Sequence, residues 1–105
     1  MIVNVTKDNF ELEIAKYEGV VLVDFWASWC GPCRRFGEVL EVLSKEKIEN
    51  LKIAKINIDE EEDLAEVFRV MSIPTVLIYK NGELKENFLG GRSLEDLKEI
   101  LKQYL

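Results

Sequence analysis

Histidine is missing from this chain. Its absence removes the commonest general base, the commonest metal ligand and the usual activating partner of a catalytic cysteine, so any proton carrier must be Asp, Glu, Lys, Tyr or Cys. Cysteine is scarce: there are 2, with two residues between them, and so close a pair cannot staple distant parts of a fold as disulfide scaffolds do. Positive charge is in deficit. With 14 Lys and Arg against 20 Asp and Glu, the formal net charge is −6, which argues against nucleic-acid and anionic-membrane partners. No stretch approaches the roughly 20 apolar residues that cross a bilayer. The first residues enter an alternating pattern at once, without the charged start, apolar run and cleavage site of a secretory signal. A cytoplasmic location is therefore expected, with a secreted form whose signal has been removed as the alternative.

What is present suits one folded unit. The 105 residues are 48% hydrophobic, long enough for a domain with its own core and too short for two, so a single domain over 1–105 is expected. Residues 2–5 read as a short strand, and Thr6 as the cap of a helix over 6–17, with Phe10, Ile14 and Tyr17 at helical spacing before Gly19. The run at 20–26 is β-branched and aromatic almost throughout, the pattern of a strand buried on both faces, and only Asp24 interrupts it. A helix follows Cys30-Gly31-Pro32-Cys33 to about 47, with Phe36, Val39, Leu40 and Leu43 on one face and Pro32 suited to its first turn. Residues 51–58 form the next strand. Asp59 with Glu62 resembles a capping box for a helix to about Met71, whose inner stripe would be Leu64, Phe68 and Met71.

Asn81-Gly82 between 74–80 and 83–89 is a strong hairpin signal, because both central positions of the tight turn need positive φ. Ser93 with Asp96 caps a last helix running to the end. The order is β-α-β-α-β-α-β-β-α. It predicts an α/β fold with a central mixed five-stranded sheet flanked by four helices. Cys30 then falls between the end of a central strand and the start of a helix, where open α/β sheets place ligands.

That location suits thiol chemistry. A thiolate attacks a disulfide, and the free N–H groups of a helix N-terminus stabilise negative sulfur on Cys30. Cys33 lies one helical turn on, near enough to attack a mixed disulfide formed by Cys30. Gly31 lets a second chain approach closely, and Pro32 stiffens the turn. A pair with this spacing also occurs in zinc sites, but zinc needs four ligands, and neither a third Cys nor any His is available. Asp24 in an apolar strand needs either a task or a hydrogen-bonding partner. Pro74 at a strand start avoids the loss of a ladder bond.

Trp26-Ala27-Ser28-Trp29-Cys30-Gly31-Pro32-Cys33 resembles the active-site segment of the thioredoxin family. Val23-Asp24-Phe25, Lys55-Ile56-Asn57-Ile58-Asp59, Ile73-Pro74-Thr75 and Lys80-Asn81-Gly82 extend the resemblance along essentially the whole chain. It implies the thioredoxin fold and a thiol-disulfide oxidoreductase in which Cys30 attacks and Cys33 resolves. By the same resemblance Asp24 is a buried proton carrier for Cys33, Lys55 lies near that carboxylate, and the Ile73-Pro74 bond is cis and faces the cysteines.

The resemblance further implies a flat apolar client-docking patch of Trp29, Gly31, Pro32, Ile73, Pro74 and Gly90, with Trp29 beside an exposed Cys30. Lys55 as a surface lysine, Gly90 as a mere strand end and Trp26 as core remain alternatives. No bound cofactor or metal is implied, and a monomer is expected. Electrons would come from NADPH through a flavin thioredoxin reductase. Implied clients are ribonucleotide reductase, peroxiredoxins and methionine sulfoxide reductases. Glu38 departs from the pattern, standing where many members carry a helix-kinking proline, so a straighter helix is expected. Arg34 keeps the usual basic residue after the second cysteine.

Overall fold

Asn81 and Gly82 both adopt positive φ, at 51° and 81°, and close the hairpin that they signal. The computed structural model describes residues 1–105. Five strands, β1 (Ile2–Asn4), β2 (Val20–Trp26), β3 (Leu51–Asn57), β4 (Thr75–Lys80) and β5 (Glu83–Leu89), form one sheet. Their order is β1-β3-β2-β4-β5. β3 is parallel to both β1 and β2, whereas β4 runs antiparallel to β2 and β5. The sheet is therefore mixed, and β2 lies at its centre.

Alternation along β2 splits the core in two. Val20 and Leu22 face α1 (Gly31–Lys45) and α3 (Leu94–Lys102), where they pack with Phe36, Leu40, Leu43, Leu97 and Leu101. Val21, Val23 and Phe25 face the other way, toward Ile14 and the flank of α2 (Glu62–Val67). α1 and α3 each cover the sheet with one buried apolar stripe, so burial supplies most of the stability. Ser93 caps α3 as its sequence predicts, its hydroxyl accepting the Asp96 N–H at 3.1 Å. α1 runs without a break through Glu38.

Two helices differ from their sequence patterns. The helix expected over 6–17 is only a π-helical turn at Glu11–Ala15, in which the Lys16 N–H reaches the Glu11 carbonyl at 2.9 Å. Lys52 is buried and its ammonium bonds the Glu13 carbonyl at 3.1 Å, where it competes with the Tyr17 N–H, which turns to the Ile14 carbonyl at 3.4 Å. The same ammonium pairs with the Glu13 carboxylate at 2.7 Å and sits 4.0 Å from the Tyr17 ring centroid. Removing the ammonium costs its bonds to the Glu13 carbonyl and to a quarter-exposed carboxylate, so Lys52→Met is expected to lower the unfolding free energy by about 1–2 kcal/mol in urea titration.

α2 is the second. It begins at Glu62 rather than Asp59. Asn57 Oδ1 accepts the Asp59 and Glu60 N–H groups at 2.9 and 3.4 Å and holds a separate turn ahead of the helix, while the Asp59 carboxylate accepts the Trp29 indole N–H. Arg69, at φ 53°, turns the chain out of the helix, and Met71 is 92% exposed instead of lying on an inner stripe.

Candidate active site

From the end of β2 the chain crosses Ala27, Ser28 and Trp29 to Cys30, the N-cap of α1. Cys30 Sγ accepts the backbone N–H of Cys33 at 3.1 Å, so the sulfur stands where an N-terminal helix turn presents unpaired donors. Pro32 in that turn has no N–H to leave unsatisfied. Cys30 and Cys33 are joined as a disulfide, with Cα atoms 5.2 Å apart. Cys30 is only 5% exposed, contrary to the open position expected of it. Bonding turns its sulfur toward Cys33, and the Ile73 carbonyl oxygen covers it from 3.8 Å away.

The Ile73-Pro74 bond is cis. The loop is tied at both ends: the Thr75 hydroxyl donates to the Ser72 carbonyl at 2.5 Å, and the Gly90 N–H donates to the Pro74 carbonyl at 2.8 Å. Gly90 has φ 81°, a region that side chains rarely tolerate. A groove of about 450 Å³ runs between residues 29–32 and residues 70–73, with Ile58 as part of its floor. Trp29 forms one wall. It is 65% exposed, and its indole N–H donates to the Asp59 carboxylate at 2.9 Å, which fixes the ring plane. Cys30, Trp29, Gly31, Pro32 and Ile73 thus meet at one groove, while the buried Pro74 and the half-buried Gly90, bonded to each other, do not line it.

Asp24 lies on the sheet face covered by α1 and is wholly buried. Neither carboxylate oxygen has a hydrogen-bond partner in the protein. Burial pushes its pKa up to about 7, with the Lys55 ammonium pulling the other way. Lys55 pairs with Asp24 in the β2–β3 register and extends over the Trp26 ring at 4.6 Å. Gly37 of α1 lies against it; a methyl there would sit 3.7 Å from Nζ, in ordinary contact. Lys55 is therefore half-buried beside the carboxylate rather than a free surface lysine.

Sequence patterning does not identify Val70 or Met71 as part of this groove, nor Asp59 as the partner of its Trp29 wall. The one available signal is the nearness of Met71 to Ile73-Pro74, which is masked by helical spacing with Leu64 and Phe68.

A redox-active pair of sulfurs, set at a helix N-terminus at the end of a central strand, defines a thiol-disulfide exchange protein. A family model described as Thioredoxin matches residues 1–103. A thioredoxin of Listeria monocytogenes is 47% identical over 105 residues, covering 100% of both chains. Thioredoxins of Bacillus subtilis and Pseudomonas aeruginosa are 46% and 40% identical, covering 99% and 95% of this chain and 98% and 93% of their own. The chain belongs to the thioredoxin family. It is a thiol-disulfide oxidoreductase, a protein-disulfide reductase, and its partners are disulfide-bearing client proteins and a thioredoxin reductase. No helix is long and apolar enough to cross a membrane.

Proposed function

We propose that the protein acts as a cytoplasmic electron donor, a monomer folded as one domain, with Cys30 as nucleophile and Cys33 as resolving thiol. The observation that carries this reading is the helix-capping position of Cys30 Sγ, with the Cys33 N–H bonded to it and the Cys33 sulfur within bonding reach. The Cys30 thiolate attacks one sulfur of a client disulfide, forming a mixed disulfide and releasing one client thiolate. Cys33 then attacks Cys30 Sγ, releasing the second client thiolate and leaving Cys30–Cys33 oxidised. Two electrons pass to the client.

Cys33 must lose a proton to attack, and Asp24 takes it. A carboxyl group poised near pH 7 exchanges protons in both directions, and its unpartnered oxygens are free to do so. Lys55 balances the charge that results. Trp29, Gly31, Pro32 and Ile73 dock the client segment, which pairs with the Ile73 backbone as an added strand, while Pro74 and Gly90 hold that edge in place. The clients are ribonucleotide reductase, peroxiredoxins and methionine sulfoxide reductases, and electrons arrive from NADPH through a flavin thioredoxin reductase.

Equilibration against glutathione buffers tests the direction of transfer. The pair should titrate well below the roughly −180 mV of protein disulfide isomerase, and a value at or above that level would make the protein an oxidant instead.

A further inference from the structure

Taking Cys30 as the client-reducing thiol, as above, we propose that Arg35 and Arg92 select clients by binding a carboxylate close to the target disulfide on its Pro32 side. The chain is acidic, at −6, yet three of its four arginines gather at one edge of the site. A methyl placed on Gly31 would lie 3.8 Å from Arg35 Nη1 and 3.9 Å from Arg34 Nη2, and one placed on Gly90 would lie 4.0 Å from Arg92 Nη1. None of these arginines is paired: every ion pair in the structure is made by a lysine. Glu38, Glu95 and Asp96 are near in sequence but outside ion-pair distance.

The two guanidinium groups share a depression of about 280 Å³ between the first turns of α1 and α3, and Pro32 lines both this depression and the client groove. The two recesses therefore lie on either side of one shared wall residue, Pro32. Arg92 is held in advance of binding. Its Nη1 donates to the carbonyls of Leu89, Gly90 and Gly91 at 3.2, 3.4 and 3.0 Å, and its guanidinium carbon lies 4.3 Å from the Phe88 ring centroid. Nη2 and Nε keep their donors for a guest, and a planar guanidinium suits a carboxylate. Arg34 is occupied differently, with Nη1 on the Ser28 carbonyl at 3.0 Å.

Charge on the opposite wall sets the direction. There Trp29 is bonded to Asp59, followed by Glu60, Glu61, Glu62 and Asp63. A client with an acidic residue beside its cysteine is drawn to the Pro32 edge and repelled from the Trp29 edge, so one orientation across Cys30 is favoured.

The test uses short synthetic peptides closed by a disulfide, with Glu, Gln or Lys beside one cysteine, and measures second-order oxidation of the reduced protein by its tryptophan fluorescence. The Glu peptide should react about tenfold faster than the Gln peptide at low salt, with the Lys peptide slowest. High sodium chloride should bring the three together. In Arg35→Gln/Arg92→Gln the ratio of Glu to Gln rates should fall to about one, and Arg35→Lys/Arg92→Lys should restore most of it. Equal Glu and Gln rates in the unmodified protein, or a preference that survives the Gln double variant or high salt, would overturn the proposal. The neutral bis(2-hydroxyethyl) disulfide separates this from the reading beneath it: if the protein fails to reduce that compound, the assignment of Cys30 falls, and this proposal with it.

Discussion

Cys30→Ser is expected to reduce insulin no faster than the dithiol donor does alone. A hydroxyl at the α1 N-cap accepts the Cys33 N–H as sulfur does, so the variant keeps the helix start and loses only the nucleophile. The same change at position 33 has a different result. Cys33→Ser leaves Cys30 able to attack and removes the thiol that releases the client, so turnover stops with the client still attached. Loss of the resolving thiol therefore separates two steps that the unmodified protein performs in quick succession. A noncatalytic binding module built on the same fold would give no insulin reduction in the parent and unchanged partner binding in both variants.

Asp24→Asn should raise stability at alkaline pH and slow client reduction. The carboxyl titrates near 3.8 in an unfolded chain and at about 7 when folded, because burial without a hydrogen-bond partner disfavours the charged form. Between those values the folded state holds a proton that the unfolded state has lost, so stability falls as pH rises from about 4 to 7. Above 7 the whole cost is present. At about 1.4 kcal/mol per unit, the interval from 3.8 to about 7 corresponds to about 4 kcal/mol. Asparagine carries no such titration, so the stability of the variant relative to the parent should climb by about that amount between pH 4 and pH 8 in urea titrations. All other titrating groups are common to both proteins and cancel. Client reduction should fall by roughly tenfold to a hundredfold, with loss of the inflection near neutral pH. A stability difference that is the same at both pH values would show that Asp24 is not a buried titrating carboxyl.

The parts of this molecule that are legible in its sequence depend on neighbours within a few residues. Asn81-Gly82 specifies its turn because both residues tolerate positive φ, and Ser93 with Asp96 closes a cap over three residues. The run at 20–26 reads as a central strand because it is apolar on both faces, and Asp24 stands out against it for the same reason. Cys30 and Cys33 are legible as one unit since their spacing is one helical turn. Elsewhere a side chain outside the local pattern intervenes. Helical spacing over 6–17 is real, but Lys52 competes for a carbonyl of that segment across 39 residues. Asp59 has the chemistry of a cap, yet its own N–H is taken by the Asn57 side chain in a turn ahead of the helix, and its carboxylate meets Trp29, 30 residues away. Nothing in the local pattern around Arg35 or Arg92 announces that α1 and the approach to α3 bring them to one recess beside Pro32.

Mass spectrometry of Cys33→Ser mixed with a disulfide client shows whether Cys30 is the attacking thiol. A single client chain should be linked through Cys30, released by added dithiol and absent when Cys30 is also replaced. An unmodified Cys30 after incubation with excess client disulfide at neutral pH would contradict that role.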